Sequence, residues 1–234
     1  MGLPKPVRPE FNLTIPSSGK RIKYQPFTVK EEKVLILAAE SQETDEITNA
    51  IRNTLERCVT TPGFKVDELA LFDIEFLFLK CRAKSVGESI KVVVQDPSDE
   101  TFRTEHEIDI DSIKVKKNKE HDDLIDIDDT TKVKMKYPDI HFFEEGIDMT
   151  SVESMSNALT RCISQIIIGE EVHTRGDLSD KEIDEWVDGL TQAQYKKLVG
   201  FFETMPRLAH TFKVKNTNKD TDFEIKLEGL ADFF

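Results

Sequence analysis

Residues 67–84, DELALFDIEFLFLKCRAK, constrain the fold more than any other stretch of the chain. Leu69, Phe72, Phe76 and Leu79 fall on one helical face. Leu71, Ile74, Leu77, Phe78 and Cys81 widen that face until little polar surface remains. A helix apolar nearly all round has to be buried, so the rest of the chain must supply its cover. The run is too short and too interrupted by charge to span a bilayer. Asp67 is the expected N-cap, with Glu68 in the first turn. After Ser85-Val86-Gly87-Glu88 the periodicity changes, and 89–95 and 102–110 read as two strands about the turn Asp96-Pro97-Ser98-Asp99-Glu100. The end of the chain repeats that order: a helix over 191–205, Pro206, then strands near 210–215 and 223–227.

Helix starts are marked elsewhere by capping boxes, in which a hydroxyl and an acid or amide three residues on satisfy each other's backbone donors. Thr28 with Glu31, Thr150 with Glu153, Ser179 with Glu182 and Thr191 with Gln194 have that spacing. Residues 44–59 form a further helix, and 151–168 read as one helix. Leu159, Cys162, Ile163, Ile166 and Ile167 line its apolar face and Gly169 is its stop. The fold class is therefore α+β: two helical clusters, each followed by an antiparallel β-hairpin, as a helix–hairpin pseudo-repeat. Four segments are expected: an extended proline-rich basic arm over 1–27, a helical cluster with hairpin over 28–117, an acidic linker over 118–135, and a second cluster with hairpin over 136–234.

The arm holds five of the nine prolines and five basic residues against Glu10, a net of +4 in a chain of net charge −13. Leu3, Val7, Arg8, Phe11, Lys20 and Arg21 are its candidate partner-binding residues. Phe233 and Phe234 at the other end are costly to expose, and they either dock on their own domain or bind a partner. The overall negative charge argues against nucleic acid and anionic membrane as partners. No signal peptide or membrane-spanning run stands out. Cys58, Cys81 and Cys162 lie in apolar helical contexts and read as buried free thiols.

Chemical motifs are sparse. Neither a phosphate-binding glycine loop nor a G-x-S-x-G elbow occurs, no histidine pair has metal-ligand spacing, and the carboxylates of 122–129 lack the glycine and distal glutamate of a calcium loop. No catalytic residue, cofactor or metal is expected.

Thr28–Glu40 (TVKEEKVLILAAE), Phe72–Glu88, Phe201–His210 (FFETMPRLAH) and the ending GLADFF, with LPKPVRPEF near the start, resemble the baseplate hub subunit and hub assembly family of T-even-like contractile-tailed bacteriophages. The resemblance reaches both ends and is weakest over 118–135. It implies a non-enzymatic structural or assembly role in the central hub of the tail baseplate. The implied partners are other hub or tail proteins, with a homo-oligomer open. The implied setting is the host cytoplasm during assembly and the virion tail. Some relatives carry C-x-x-C pairs in their hairpins, which implies zinc. Here the two turns read Asp96-Pro97-Ser98-Asp99 and Asn216-Thr217-Asn218-Lys219, so turn chemistry alone must close them. The alternative is a soluble enzyme with a site assembled from scattered residues.

Overall fold

The computed structural model describes residues 6–144 and 152–229. In chain order it runs β1 (Phe11–Thr14), β2 (Arg21–Tyr24), α1 (Val29–Ser41), α2 (Thr44–Cys58), α3 (Leu71–Ser85), β3 (Ser89–Asp96), β4 (Asp99–Asp109), β5 (Lys114–Lys116), β6 (Leu124–Asp126) and β7 (Thr131–Met135). It continues with α4 (His141–Glu144), α5 (Val152–Cys162), β8 (Ile163–Ile168), β9 (Glu171–Thr174), α6 (Asp180–Asp188), α7 (Gln192–Thr204), β10 (Arg207–Asn216) and β11 (Thr221–Glu228). Among the described residues all pairings are antiparallel, in four small sheets, and the class is α+β.

The chain divides into two compact units, one of residues 1–116 and 207–234, the other of residues 117–206. In the first, α3 is the buried centre. Phe72, Ile74, Leu77, Phe78, Leu79, Cys81 and Ala83 are all buried. Complete burial of one such side chain stabilises the fold by about 1.5–3 kcal/mol. Leu79 and Ala83 pack with Ile90 of β3, Ile108 of β4, Ile110, Ile113 and Leu208 of β10. Asp67 does not cap α3. It sits in a short 3-10 turn and pairs with Arg52 at 2.8 Å, while Ala70 is the N-cap and offers no side-chain acceptor. The cause is Val66, which is wholly buried and draws the preceding turn into the core.

The segment expected to be an extended arm is a β-hairpin, β1–β2, over much of its length. The alternation of side chains decides this: Ile15, Ile22, Tyr24 and Phe27 are buried while the basic residues between them face water. The hairpin is tied to α3, because the Ser17 N–H donates to Asp73 Oδ1 at 3.0 Å and its hydroxyl donates to Oδ2. Asp73 is fully buried, so these donors offset its desolvation.

In the second unit the stretch expected to be an acidic linker belongs to the four-stranded sheet β6-β7-β8-β9. Asp123, Asp126 and Asp128 each have a match. Asp126 pairs with Lys132 at 2.9 Å and Asp123 with Lys134 at 2.5 Å, while Asp128 Oδ1 accepts from the Thr130 and Thr131 N–H groups at the turn. Helix α5 stops at Cys162, and the isoleucines read as its continuation form β8. β-Branched side chains fit a pleated surface better than a helix, and β8 is flanked on both edges, by β7 and β9. Gly169, with φ +61°, turns β8 into β9 rather than ending a helix. The core joins Val133, Leu159, Ile163, Ile166, Ile183, Leu198, Phe201 and Phe202. The helix and hairpin of the expected second repeat fall in different units: α7 in the second, β10–β11 in the first. The capping boxes at Thr28, Ser179 and Thr191 are present, and the box at Thr150 lies outside the described residues.

Candidate interaction surfaces

The two hairpins of the first unit meet at their turns. Asp96, opening the β3–β4 turn, accepts the Ser98 N–H on Oδ1 at 2.7 Å. Asn216, opening the β10–β11 turn, accepts the Asn218 N–H on Oδ1 at 2.8 Å. Each turn is thus closed by the side chain of its first residue. The remaining polar atoms of those side chains face each other: Asn216 Nδ2 donates to Asp96 Oδ2 at 2.7 Å and to Asp99 Oδ2 at 3.1 Å. The Lys219 ammonium donates to the Ser98 carbonyl. Asp99 is held down to about 2, chiefly by the Thr101 hydroxyl and then by Asn216. Asp96 is lowered too, first by Asn216. Val94, Phe102 and Val214 form the apolar floor, with Phe102 edge-on to Phe223. With the Asn218 amide 3.5 Å from Asp99 Oδ2, this polar clasp holds the hairpins together with two carboxylates, two amides and one ammonium. Among the described residues, no cluster of three or more His, Cys, Asp or Glu side chains is placed to hold a metal ion.

The sequence-expected contact residues scatter. Val7 is 95% exposed. Arg8 is engaged within its own unit and donates to the Pro26 carbonyl at 3.1 Å. Phe11 is half-buried against Tyr24, with the Lys84 ammonium 5.5 Å from its ring centre. Lys20 and Arg21 are exposed at the turn end of β2. Leu3, Phe233 and Phe234 lie outside the described residues.

A surface not anticipated from the sequence is α1. Among its residues only Glu31 and Ala38 are buried, whereas Val29, Val34, Ile36 and Leu37 are 66%, 42%, 52% and 64% exposed. The signal was available: Val34–Ala39 is six consecutive apolar residues, and on a helix such a run points in every direction. One neighbouring element cannot cover it.

The second unit has an open cleft of about 530 Å³ near α5 and α6. Its charged side chains are partly matched: Lys136 pairs with Asp139 at 3.3 Å, Arg175 with Asp180, and Asp184 accepts from the Thr160 hydroxyl at 2.7 Å. Deeper in the unit His121 lies between Thr204 and Tyr137, with Nδ1 3.0 Å from the Thr204 hydroxyl and Nε2 3.1 Å from the Tyr137 hydroxyl. The Thr204 proton serves the Gly200 carbonyl at 2.9 Å, so the network assigns the imidazole proton to Nδ1 and lets Nε2 accept from Tyr137. Burial lowers the His121 pKa and keeps the ring neutral. Cys58, Cys81 and Cys162 are free and buried. Burial pushes the Cys162 thiol well up, away from the thiolate form a nucleophile needs. Among the described residues, no helix is long and apolar enough to cross a membrane.

Comparison with known proteins bears on what these surfaces serve. No curated protein and no solved structure matches the chain. A family model described as T4 bacteriophage base plate protein matches residues 8–234, which takes in both units and nearly the whole sequence. The chain belongs to that family of phage base plate proteins.

Proposed function

We propose that this base plate protein serves the central hub of the tail baseplate, as a non-enzymatic subunit or as an assembly protein acting on other hub proteins. Its working partners are then other hub and tail proteins. It meets them in the host cytoplasm during assembly and, as a subunit, stays with them in the tail. The observation that carries the reading is the bare apolar surface of α1 in a chain of this family. A helix with Val34, Ile36 and Leu37 in water is poorly placed on an isolated protein and well placed in an assembly. Val7, Lys20 and Arg21 are the accessible part of the N-terminal contact set, with Leu3, Phe233 and Phe234 as further members. Arg8 and Phe11 support the hairpin that presents them.

Mass spectrometry of purified particles, beside a pull-down with the tagged chain from infected-cell lysate, tests this. Recovery of defined tail proteins with the chain supports the reading. Their absence from the pull-down, with no baseplate defect when the gene is silenced, overturns it.

A further inference from the structure

Helix α1 is packed through one narrow side. Glu31 and Ala38 are buried and Leu35 is half-buried, at spacings of four and three residues. The opposite side carries Val29, Lys33, Ile36 and Glu40, spaced four, three and four, with Leu37 beside them. All five are exposed. This outer face has the layout of a helix-packing seam: an apolar centre, Ile36 with Leu37, bracketed by Lys33 and Glu40, with exposed Lys30 at the rim beside Leu37. Neither Lys33 nor Glu40 has an ion-pair or hydrogen-bond partner among the described residues.

The charges choose the occupant. About a point midway between residues 36 and 37, the face is self-complementary on reversal. An antiparallel copy sets Ile36 against Leu37 of the second copy, and Lys33 against Glu40, twice over by symmetry. A parallel copy would set Lys33 against Lys33 and Glu40 against Glu40. A two-fold interface in which each residue meets its complement is what closed homodimers use. We infer that α1 pairs two copies of this chain, antiparallel, through Lys33, Ile36, Leu37 and Glu40. One helix on one helix through a few residues a side falls below the roughly 1,200–2,000 Å² of stable complexes, so the dimer is weak and reversible. The dimer occupies the same α1 face that carries the hub reading, and it stands or falls on the self-association of the chain alone.

The test uses the full chain and sedimentation equilibrium over a wide concentration range. The wild type is expected to shift reversibly from monomer to dimer. I36E or L37E should abolish the shift, and because both side chains already face water the thermal transition should be unchanged. K33E places two pairs of carboxylates in opposition, E40K two pairs of ammonium groups, and each should weaken dimerisation by about tenfold or more at low salt. An equimolar mixture of K33E and E40K should form a heterodimer, because every opposed pair in it is again unlike. The double variant K33E/E40K should regain the homodimer. A wild type monomeric throughout, dimers unaffected by I36E or L37E, or failure of the mixture to associate would each overturn the antiparallel α1 pair. A hub protein that competes for α1 while the chain alone stays monomeric would overturn it too.

Discussion

Asn216 donates to Asp96 at 2.7 Å across 120 residues of sequence, and both side chains are buried. Each residue also closes its own hairpin turn, so one bond fixes the position of two turns at once. Asn216→Ala deletes the donor and leaves buried carboxylate oxygen without it. Urea unfolding should show a loss of about 1–3 kcal/mol. Asn216→Asp should be worse, since it sets a third carboxylate beside Asp96 and Asp99.

The clasp should also respond to acid. The Asp99 carboxyl ordinarily titrates near 3.8 and is held to about 2 in the folded protein. A carboxylate whose folded pKa is depressed lends stability that is fully present above its unfolded pKa and is lost as pH falls through the folded one. Melting temperature should therefore fall as pH drops from about 4 towards 2, and Asn216→Ala should flatten that fall.

Removing residues 1–24 should abolish the cooperative thermal transition of the first unit. The deletion uncovers the surface beneath Ile15, Ile22 and Tyr24 and strips Asp73 of the two Ser17 donors. Ser17→Ala is the finer probe. It removes one charge-assisted hydrogen bond and should cost roughly 1.5–3 kcal/mol with the fold intact. A truncated chain that melts like the full one would contradict this, as judged by circular dichroism.

The second unit should weaken at mildly acidic pH. Burial holds the His121 pKa below its ordinary 6.5, so the unfolded chain takes up a proton more readily than the folded one. Stability contributed by the neutral ring is intact above 6.5 and declines as pH falls through the folded pKa. His121→Phe should keep the ring contacts with Tyr137 and Phe201 while removing this pH dependence. Hydrogen exchange on the amides of β7 and α7 would report it.

Local signals in the sequence carried far and long-range ones did not. Three capping boxes were legible because a hydroxyl and an acid or amide three residues apart have little else to do before an apolar run. The buried helix was legible from its all-round apolar surface, and the α+β class from the change of period after it. The N-terminal hairpin is masked by its prolines, which favour an extended chain and outweigh the short alternation of Ile22 and Tyr24 with basic residues. The acidic stretch hid a strand because its countercharges, Lys132 and Lys134, come only after the turn. Ile163–Ile168 is apolar enough to serve a helix or a strand, and its partners on either edge decided the outcome. The Asn216–Asp96 clasp left no local trace: each turn is self-sufficient as written, and only tertiary packing brings them together.

The path of the chain has a consequence for synthesis. Strand β5 ends at Lys116 and pairs, through Val115 and Leu208, with β10, which begins at Arg207. Everything between them is the second unit, a continuous stretch that owes none of its strands to the first. A nascent chain ending near residue 206 therefore holds a second unit with all its parts. The first unit by then still lacks the two strands that cover Leu79, Ile108 and Ile113. The unit begun first is the one finished last, and in the interval the part of its core that β10 and β11 cover lies open to whatever the cell offers.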